Sequence, residues 1–401
     1  MHVPSTLSSI SCLAICRILL SANLLFRPKA LGFSFVECRR KRNGRGPYSL
    51  HVASSSSRQG IVQQTLPQTH PLPPHTFAGQ VEQRLVERFG GGDNDIDRVL
   101  TSWRLLEAGY VHNEYFGSSP DRKEDVDDMF DTSKCQSLQH CHSYVPGLTV
   151  QEFWEVPTFD WCAKLQDKYP QILQEFQTVT ADLESLKEQG NNIWAGALTE
   201  DASSYGEGWK TLVLMDRGRW DPVNVNLFPV TAKAVKDSGV PATEVFFASM
   251  QPHTVIKPHS DFTNFVLTSH LPLVVPYSGQ NKCRLTIGET TREWINGQLL
   301  LFDTSIIHDA VNDSDQTRYI LMLRLWHPDL TVIERAALQF TFDCLEFPDL
   351  LSPDPEERFR AELLAEQMRA FPEIKKGIRK VAGFGGGGVK KGGAKKKRNG
   401  R

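Results

Sequence analysis

Arg318-Tyr319-Ile320-Leu321-Met322-Leu323-Arg324-Leu325-Trp326 is a nine-residue, mostly apolar run with the length of a single strand. Similar short runs precede it. Thr211 to Met215, Glu244 to Met250, Asn264 to Val275, Arg284 to Ile287 and Gln298 to Phe302 are rich in Val, Ile, Leu, Phe and Thr. Gly, Pro, Asn and Asp separate them. Many short strands with turn residues between them predict an antiparallel sandwich or barrel. Helical spacing lies outside this block, at Val81 to Phe89, Ile96 to Ala108, Trp161 to Gln189 and Arg358 to Met368, with Pro170 beginning or kinking part of the third.

The composition is that of a globular chain. Of 401 residues, 40% are apolar and 23% charged, which excludes a polytopic membrane protein and a collagen-like chain. The formal net charge of -2 argues against a basic nucleic-acid binder on overall balance, so no specific nucleic-acid partner is expected. The ends depart from this average. Leu7 to Phe26 is mostly apolar, and Arg39 to Arg42 and Arg45 with the Ser54 to Ser57 block follow it. Residues 1-60 read as a targeting segment. It fits a cleaved secretory signal, a two-part signal plus transit peptide, or an uncleaved N-terminal membrane anchor, and the sequence leaves the three open. The destinations are the secretory pathway (endoplasmic reticulum) or an organelle such as a plastid. Residues 374-401 carry eleven Lys/Arg and no acid among glycines, a basic tail unable to build a core. Between the ends, residues 61-143 form a linker and helical N-terminal region, 144-335 the strand-rich domain, and 336-373 a helical extension.

Eight cysteines are spread without a paired framework, so mostly free thiols are expected. Cys135 and Cys141 are near enough to close one short loop in an oxidising compartment. His140-Cys141-His142 lacks the second half-site that a structural zinc needs. No glycine-rich phosphate loop with the required strand and helix context is present.

The chemistry concentrates in Lys257-Pro258-His259-Ser260-Asp261, in His308 forty-nine residues after His259, and in Arg318 ten beyond that. Two histidines and one carboxylate occupy one face of an octahedral iron and leave three positions open. If the first segment is extended, residues i and i+2 point the same way and both reach one ion. His308 then comes from a neighbouring strand. Arg318 opens another strand, where a guanidinium clamps the far end of a dicarboxylate in a bidentate pair. Asp303 and Asp309 are candidate partners for the second ring nitrogen of His308.

Several further segments occur in order: Glu207-Gly208-Trp209-Lys210, Pro258-His259-Ser260-Asp261-Phe262-Thr263-Asn264, Ser269-His270-Leu271, Leu301-Phe302-Asp303-Thr304-Ser305-Ile306-Ile307-His308 and Trp326-His327-Pro328-Asp329-Leu330-Thr331. Together they resemble the aspartyl/asparaginyl β-hydroxylase family of Fe(II)- and 2-oxoglutarate-dependent oxygenases, over roughly Tyr144 to Arg335. The resemblance implies a mainly β fold with flanking helices around a double-stranded β-helix, the jelly-roll or cupin-like core. It also implies catalysis at an Fe(II) centre of His259, Asp261 and His308. By the same likeness, His270 and Arg318 bind the 2-oxoglutarate carboxylates, Trp209 lies near that cosubstrate, and O2 is the second cosubstrate. The substrate class implied is a peptide or protein side chain, with a lipid or small molecule as the alternative. A jelly-roll interaction module without catalysis is the reading from another class.

Four positions depart from the animal aspartyl hydroxylases. Asp261 stands where they resemble one another in having glycine, which implies a complete triad here. Ala248, beside Ser249, replaces a serine that helps hold the cosubstrate. Val266 and Thr268 replace two arginines that help recognise an acidic peptide, and a site built for a charged partner does not keep that preference with neutral side chains.

Overall fold

A computed structural model describes residues 66–91, 95–115, 138–181, 195–196, 208–277 and 279–375. The targeting segment, the acidic stretch Asp121 to Asp131, the end of the predicted helix at 182–189 and the basic tail from 376 onward lie outside these residues.

The described chain begins with helices α1 (Phe77–Phe89) and α2 (Asp97–Glu107) and a hairpin of β1 (His112–Tyr115) and β2 (Leu138–Cys141). Helices α3 (Asp160–Asp167) and α4 (Tyr169–Thr180) follow. Pro170 sits in the first turn of α4, where its missing N–H leaves no bond unmade, and so divides the long predicted helix in two. Then come β3 (Ala195–Gly196), β4 (Trp209–Asp216), β5 (Arg219–Trp220), α5 (Pro222–Leu227) and α6 (Pro229–Ser238).

The core strands are β6 (Ala242–Met250), β7 (Thr254–His259), β8 (Val266–Val274), β9 (Cys283–Ile287), β10 (Thr290–Glu293), β11 (Leu300–Phe302), β12 (His308–Asn312) and β13 (Arg318–Trp326). They form two antiparallel sheets. The larger runs β11-β8-β13-β6-β4-β3, with β5 beside β4, and the smaller runs β10-β9-β12-β7. The chain passes from one sheet to the other between β6 and β7, β7 and β8, β8 and β9, β10 and β11, β11 and β12, and β12 and β13. That alternation is the double-stranded β-helix, or jelly roll, and it establishes the fold class read from the sequence. Helices α7 (Val332–Glu346) and α8 (Pro355–Arg369) close the described chain. Among the described residues no helix is long and apolar enough to cross a membrane.

Strand alternation decides what faces the inside of the roll. On β13 the outward residues Leu321, Leu323 and Leu325 join Leu212, Leu214, Val245, Phe247, Leu267 and Leu271 in a core against α3, α4 and α6. The inward set contains Arg318, Ile320, Met322 and Arg324. Ile320 packs with Phe246 and Ala248 inside the roll, beside Trp209, Val213 and Met322. A second core inside the smaller sheet holds Ile256, Leu285, Ile287, Trp294, Phe302 and Ile306. Helices α1, α2 and α7 build a third around Trp103, Phe265 and Trp326.

Three features differ from the sequence reading. The strand predicted from Asn264 begins at Val266, because the Asn264 amide is engaged with Val145 instead. The strand predicted from Gln298 begins at Leu300, because a turn through Gly297 precedes it. Helix α7 starts at Val332, where Thr331 and Glu334 form a capping box.

Phe247 is fully buried and its ring lies 4.9 Å from Phe176 of α4 and 4.7 Å from Phe228, which precedes α6. It fastens the larger sheet to its helical cover. Phe247→Ala is expected to lower the unfolding free energy by ~3–5 kcal/mol in urea denaturation.

Candidate metal centre

β7 and β12 are antiparallel neighbours, and His259 is paired in register with His308. The last residue of one strand thus faces the first of the other, and the two rings stand 4.3 Å apart between centroids. The pairing slips by one residue between His308 and Ala310, a bulge in which Lys257 and Pro258 of β7 oppose Asp309. Pro258 has no N–H to give to a ladder, and a bulge is where a strand tolerates that.

Asp261 arrives by a different route from the one expected. β7 ends at His259, so Asp261 is not the next same-face residue of a strand. It lies in a turn: its N–H donates to the Thr304 carbonyl (2.8 Å), its own carbonyl accepts from the Thr263 N–H (2.9 Å), and Phe262 takes a left-handed φ of 63°. The turn swings the carboxylate toward the imidazoles. Asp261 Oδ1 is 3.6 Å from His259 Nε2 and 4.0 Å from His308 Nε2. One ligand atom from each of the three residues lies within 4.8 Å of the others. No other group of three or more His, Cys, Asp or Glu side chains among the described residues is so arranged.

Hydrogen bonds fix the tautomers. His259 Nδ1–H donates to the Lys257 carbonyl and His308 Nδ1–H to the Ile306 carbonyl, each at 2.8 Å. Both Nε2 lone pairs are therefore turned toward Asp261, as metal-ligating imidazoles require. The acceptor for His308 is thus a backbone carbonyl, not Asp303 or Asp309. Burial, and then the neighbouring His259, push His308 down to about 4, which keeps it neutral at physiological pH.

Asp261 is buried, and burial opposes its ionisation. Arg324 overrides that, with His308 and His259 adding to it, and holds the carboxyl well below the usual range. Arg324 Nη1 hydrogen-bonds Asp261 Oδ2, so the carboxylate's two oxygens face different partners. Glu244 Oε2 stands 3.8 Å from Arg324 Nε on the other side. The sequence reading gave Arg324 no role. The available signal was its spacing: six residues from Arg318 on one strand places both on the same face.

Arg318 is 1% exposed and fully inside the roll. One Nη donates weakly to Met250 Sδ (3.2 Å), and the guanidinium lies 4.3 Å from the centre of the Trp294 ring. Its Nε and other Nη have no hydrogen-bond partner among the described residues. Burial lowers its pKa to about 10, so it stays charged at neutral pH. His270, on the inner face of β8, accepts the Trp294 indole N–H at Nδ1 (3.1 Å). An indole nitrogen only donates, so His270 carries its proton on Nε2, which is buried without a partner. Burial, then the positive field of Arg318, hold His270 well below its ordinary pKa. A buried guanidinium and an imidazole N–H, both with unfilled donor capacity, match a carboxylate in chemistry. Trp294, which sequence reasoning missed, fixes both of them. Trp209 is half-buried at the start of β4, across from Met250, and borders the same interior.

Thr268 and Val266 are buried on β8, and Thr268 Oγ1 lies 3.3 Å from Thr304 Oγ1, so the wall there is neutral. His327 is structural: it bonds the Thr149 carbonyl (2.9 Å) and accepts the Asp329 N–H (3.1 Å). Cys162, Cys283 and Cys344 are buried thiols outside any disulfide, and Cys135 lies outside the described residues.

Fold and cluster together define a jelly-roll protein with a candidate mononuclear metal centre. Residues 166–328 match the model of the Aspartyl/Asparaginyl beta-hydroxylase family. "Aspartate beta-hydroxylase domain-containing protein 2" of Homo sapiens is 29% identical over 198 residues, covering 47% of this chain and 53% of that protein. "Aspartyl/asparaginyl beta-hydroxylase" of Mus musculus is 32% identical over 146 residues, 35% of this chain and 19% of that protein. "Ornithine lipid ester-linked acyl 2-hydroxylase" of Rhizobium tropici is 27% identical over 179 residues, 44% of this chain and 60% of that protein. The chain therefore spans about half or less of the first two, and its kinship is with hydroxylases. Among solved structures, a Cupin 2 conserved barrel domain protein from Salinispora arenicola matches 37% of this chain and 98% of its own, at 13% identity and a TM-score of 0.21.

Asp303 offers a stability test beside the site. Burial raises its carboxyl from 3.8 to about 7, against the N–H and hydroxyl of Ser305 that favour the charge. The unfolded chain releases this proton near 4 and the folded one near 7. The stabilising contribution is thus complete below about pH 4 and is lost as pH rises to about 7. Asp303→Asn is expected to flatten that slope and to be more stable than wild type at pH 7.5 by on the order of 2–4 kcal/mol, read from denaturation curves across pH.

Proposed function

We propose that this chain is an Fe(II)- and 2-oxoglutarate-dependent dioxygenase that hydroxylates a peptidyl side chain. Ferrous iron in such a site couples reduction of O2 to oxidative decarboxylation of 2-oxoglutarate, giving succinate, CO2 and a hydroxylated substrate carbon. The donor set fits this ion: two imidazoles and one carboxylate on one face, with the Nε2 atoms and Oδ1 directed inward. The observation that carries the reading is the buried Arg318 charge with donors unfilled, since a guanidinium in that position calls for an anion.

Each side chain has a task in this scheme. His259, Asp261 and His308 hold the metal. Arg318 pairs with the distal carboxylate of 2-oxoglutarate, and Trp294 keeps the guanidinium plane in place. His270 donates its Nε2–H to a carboxylate oxygen of the cosubstrate, its orientation set by the Trp294 indole. Trp209, Phe246, Ala248 and Ile320 line the interior and keep water from it.

A second reading concerns the substrate. The interior of the roll is neutral at Thr268, whose hydroxyl meets Thr304, and apolar at Val213, Phe246 and Met322. This favours an uncharged acceptor carbon, whether in a lipid or in a small molecule, over an aspartyl residue. The Rhizobium tropici relative is named for an acyl chain.

The test is succinate formation by the purified full chain with Fe(II), 2-oxoglutarate and ascorbate, against peptide, lipid and extract fractions. Turnover is expected to require iron and to vanish in His308→Ala. Arg318→Met, which removes the cation and keeps the bulk, is expected to weaken 2-oxoglutarate binding by more than ~100-fold. Unchanged 2-oxoglutarate binding in Arg318→Met would assign the roll to a metal chemistry without this diacid.

A further inference from the structure

The turn that carries Asp261 is held from outside the family-matched segment. Phe262 has a φ of 63°, a left-handed conformation that a bulky side chain adopts only when its surroundings impose it. Its carbonyl accepts two N–H groups, from His142 and Ser143, both at 2.9 Å. Its ring meets the His142 ring edge to face at 4.8 Å. One residue on, Ser143 and Thr263 form a parallel bridge. Two residues on, the Asn264 side chain grips the Val145 backbone at both ends: Oδ1 accepts its N–H (2.8 Å) and Nδ2 donates to its carbonyl (2.9 Å). Asn264 is 1% exposed.

The same stretch of chain also reaches the loop that leads to His308. The His140 N–H donates to the Ser305 carbonyl (2.8 Å), and Gln139 Nε2 donates to Ser305 Oγ (2.8 Å). Gln139 bridges Ile306, whose carbonyl orients His308. The stretch 139–145 therefore bonds, through five of its seven residues, both loops that present the candidate metal-binding side chains, and it lies before residue 166, where the family match begins.

We propose that Gln139–Val145 is a positioning strap for the metal centre. It holds the Asp261-Phe262-Thr263 turn in its left-handed form and ties that turn to the loop before His308, so that the carboxylate and the two imidazoles converge before any ion arrives. The inference rests on reading the triad as a metal centre. None of the strap side chains is a metal ligand in it; Asn264 and the strap backbone act through Asp261.

Co(II) titration of the metal-free full chain tests this, with affinity read from the visible absorption of the bound ion and the fold checked by near-ultraviolet circular dichroism. Asn264→Ala, which removes both bonds to Val145, is expected to weaken Co(II) binding about tenfold and to change the absorption envelope. Ser143→Pro, which removes one N–H to the Phe262 carbonyl and spares the buried amide, is expected to act in the same direction by a smaller factor and stands in should Asn264→Ala not fold. The discriminating step is Phe262→Gly placed in either background. Glycine adopts the left-handed φ without help, so most of the lost affinity is expected to return. A folded Asn264→Ala with wild-type Co(II) affinity and spectrum would overturn the strap, as would Phe262→Gly failing to restore any affinity. A wild-type chain that binds no Co(II) would instead overturn the metal centre itself.

Discussion

A carboxylate removed from water needs a compensating charge or it takes up a proton, and Asp261 is buried on the inside of a jelly roll. Arg324 supplies that charge from the neighbouring β13 and bonds Oδ2, while Oδ1 faces the two imidazoles. Arg324 is itself buried, so neither member of the pair is stable there without the other. The geometry of the site follows from satisfying this pair. β13 must lie beside β8 to bring Arg324 opposite Thr268, and β12 must lie beside β7 to bring His308 opposite His259. Only then do the three ligand atoms converge.

A second buried charge sets the other end of the interior. Arg318 has the Trp294 ring face and a Met250 sulfur as company, and no carboxylate among the described residues. The two arginines on one face of β13 thus play unlike parts. Arg324 is neutralised by the protein and shapes the triad, whereas Arg318 keeps its Nε and one Nη without a hydrogen-bond partner among the described residues. His270 and Trp294 stand between them, with the indole fixing which imidazole nitrogen carries the proton. The polar chemistry is concentrated along one inward strand face, and Ile320 and Met322 between the arginines keep the medium apolar, which strengthens each remaining charge interaction.

Much of this was legible in the sequence, and the parts that were not have physical reasons. Arg318 to Trp326 reads as one strand and is one, because a nine-residue stretch with seven apolar members is the length of a strand and short for a buried helix. The strand before His259 gave no period-two signal, since Val255, Lys257 and Pro258 leave an irregular, bulged edge. His308 is read as lying on a neighbouring strand and does, but the bounds of His308 to Asn312 carry no apolar signal, because its buried members are a histidine, an alanine and an asparagine whose side chain bonds backbone. Helix α7 carried its start signal in Thr331 and Glu334, and α5 in the Asp221 cap followed by Pro222. The convergence of His259, Asp261 and His308 was legible from spacing. The means were not: a left-handed Phe262 and a cap on each histidine from a carbonyl two residues earlier leave no mark in residue type. Trp294 carried no motif at all, and only the folded interior gives it a role.

The central claim is that one ferrous ion and one five-carbon diacid complete this interior. Diffraction at the iron edge from crystals of the chain grown without oxygen, with Fe(II) and 2-oxoglutarate present, tests it most directly. The account predicts a single anomalous peak bounded by His259 Nε2, His308 Nε2 and Asp261 Oδ1, with a carboxylate of the diacid paired to Arg318. Iron bound elsewhere, or Arg318 with no anion beside it at saturating 2-oxoglutarate, would contradict it.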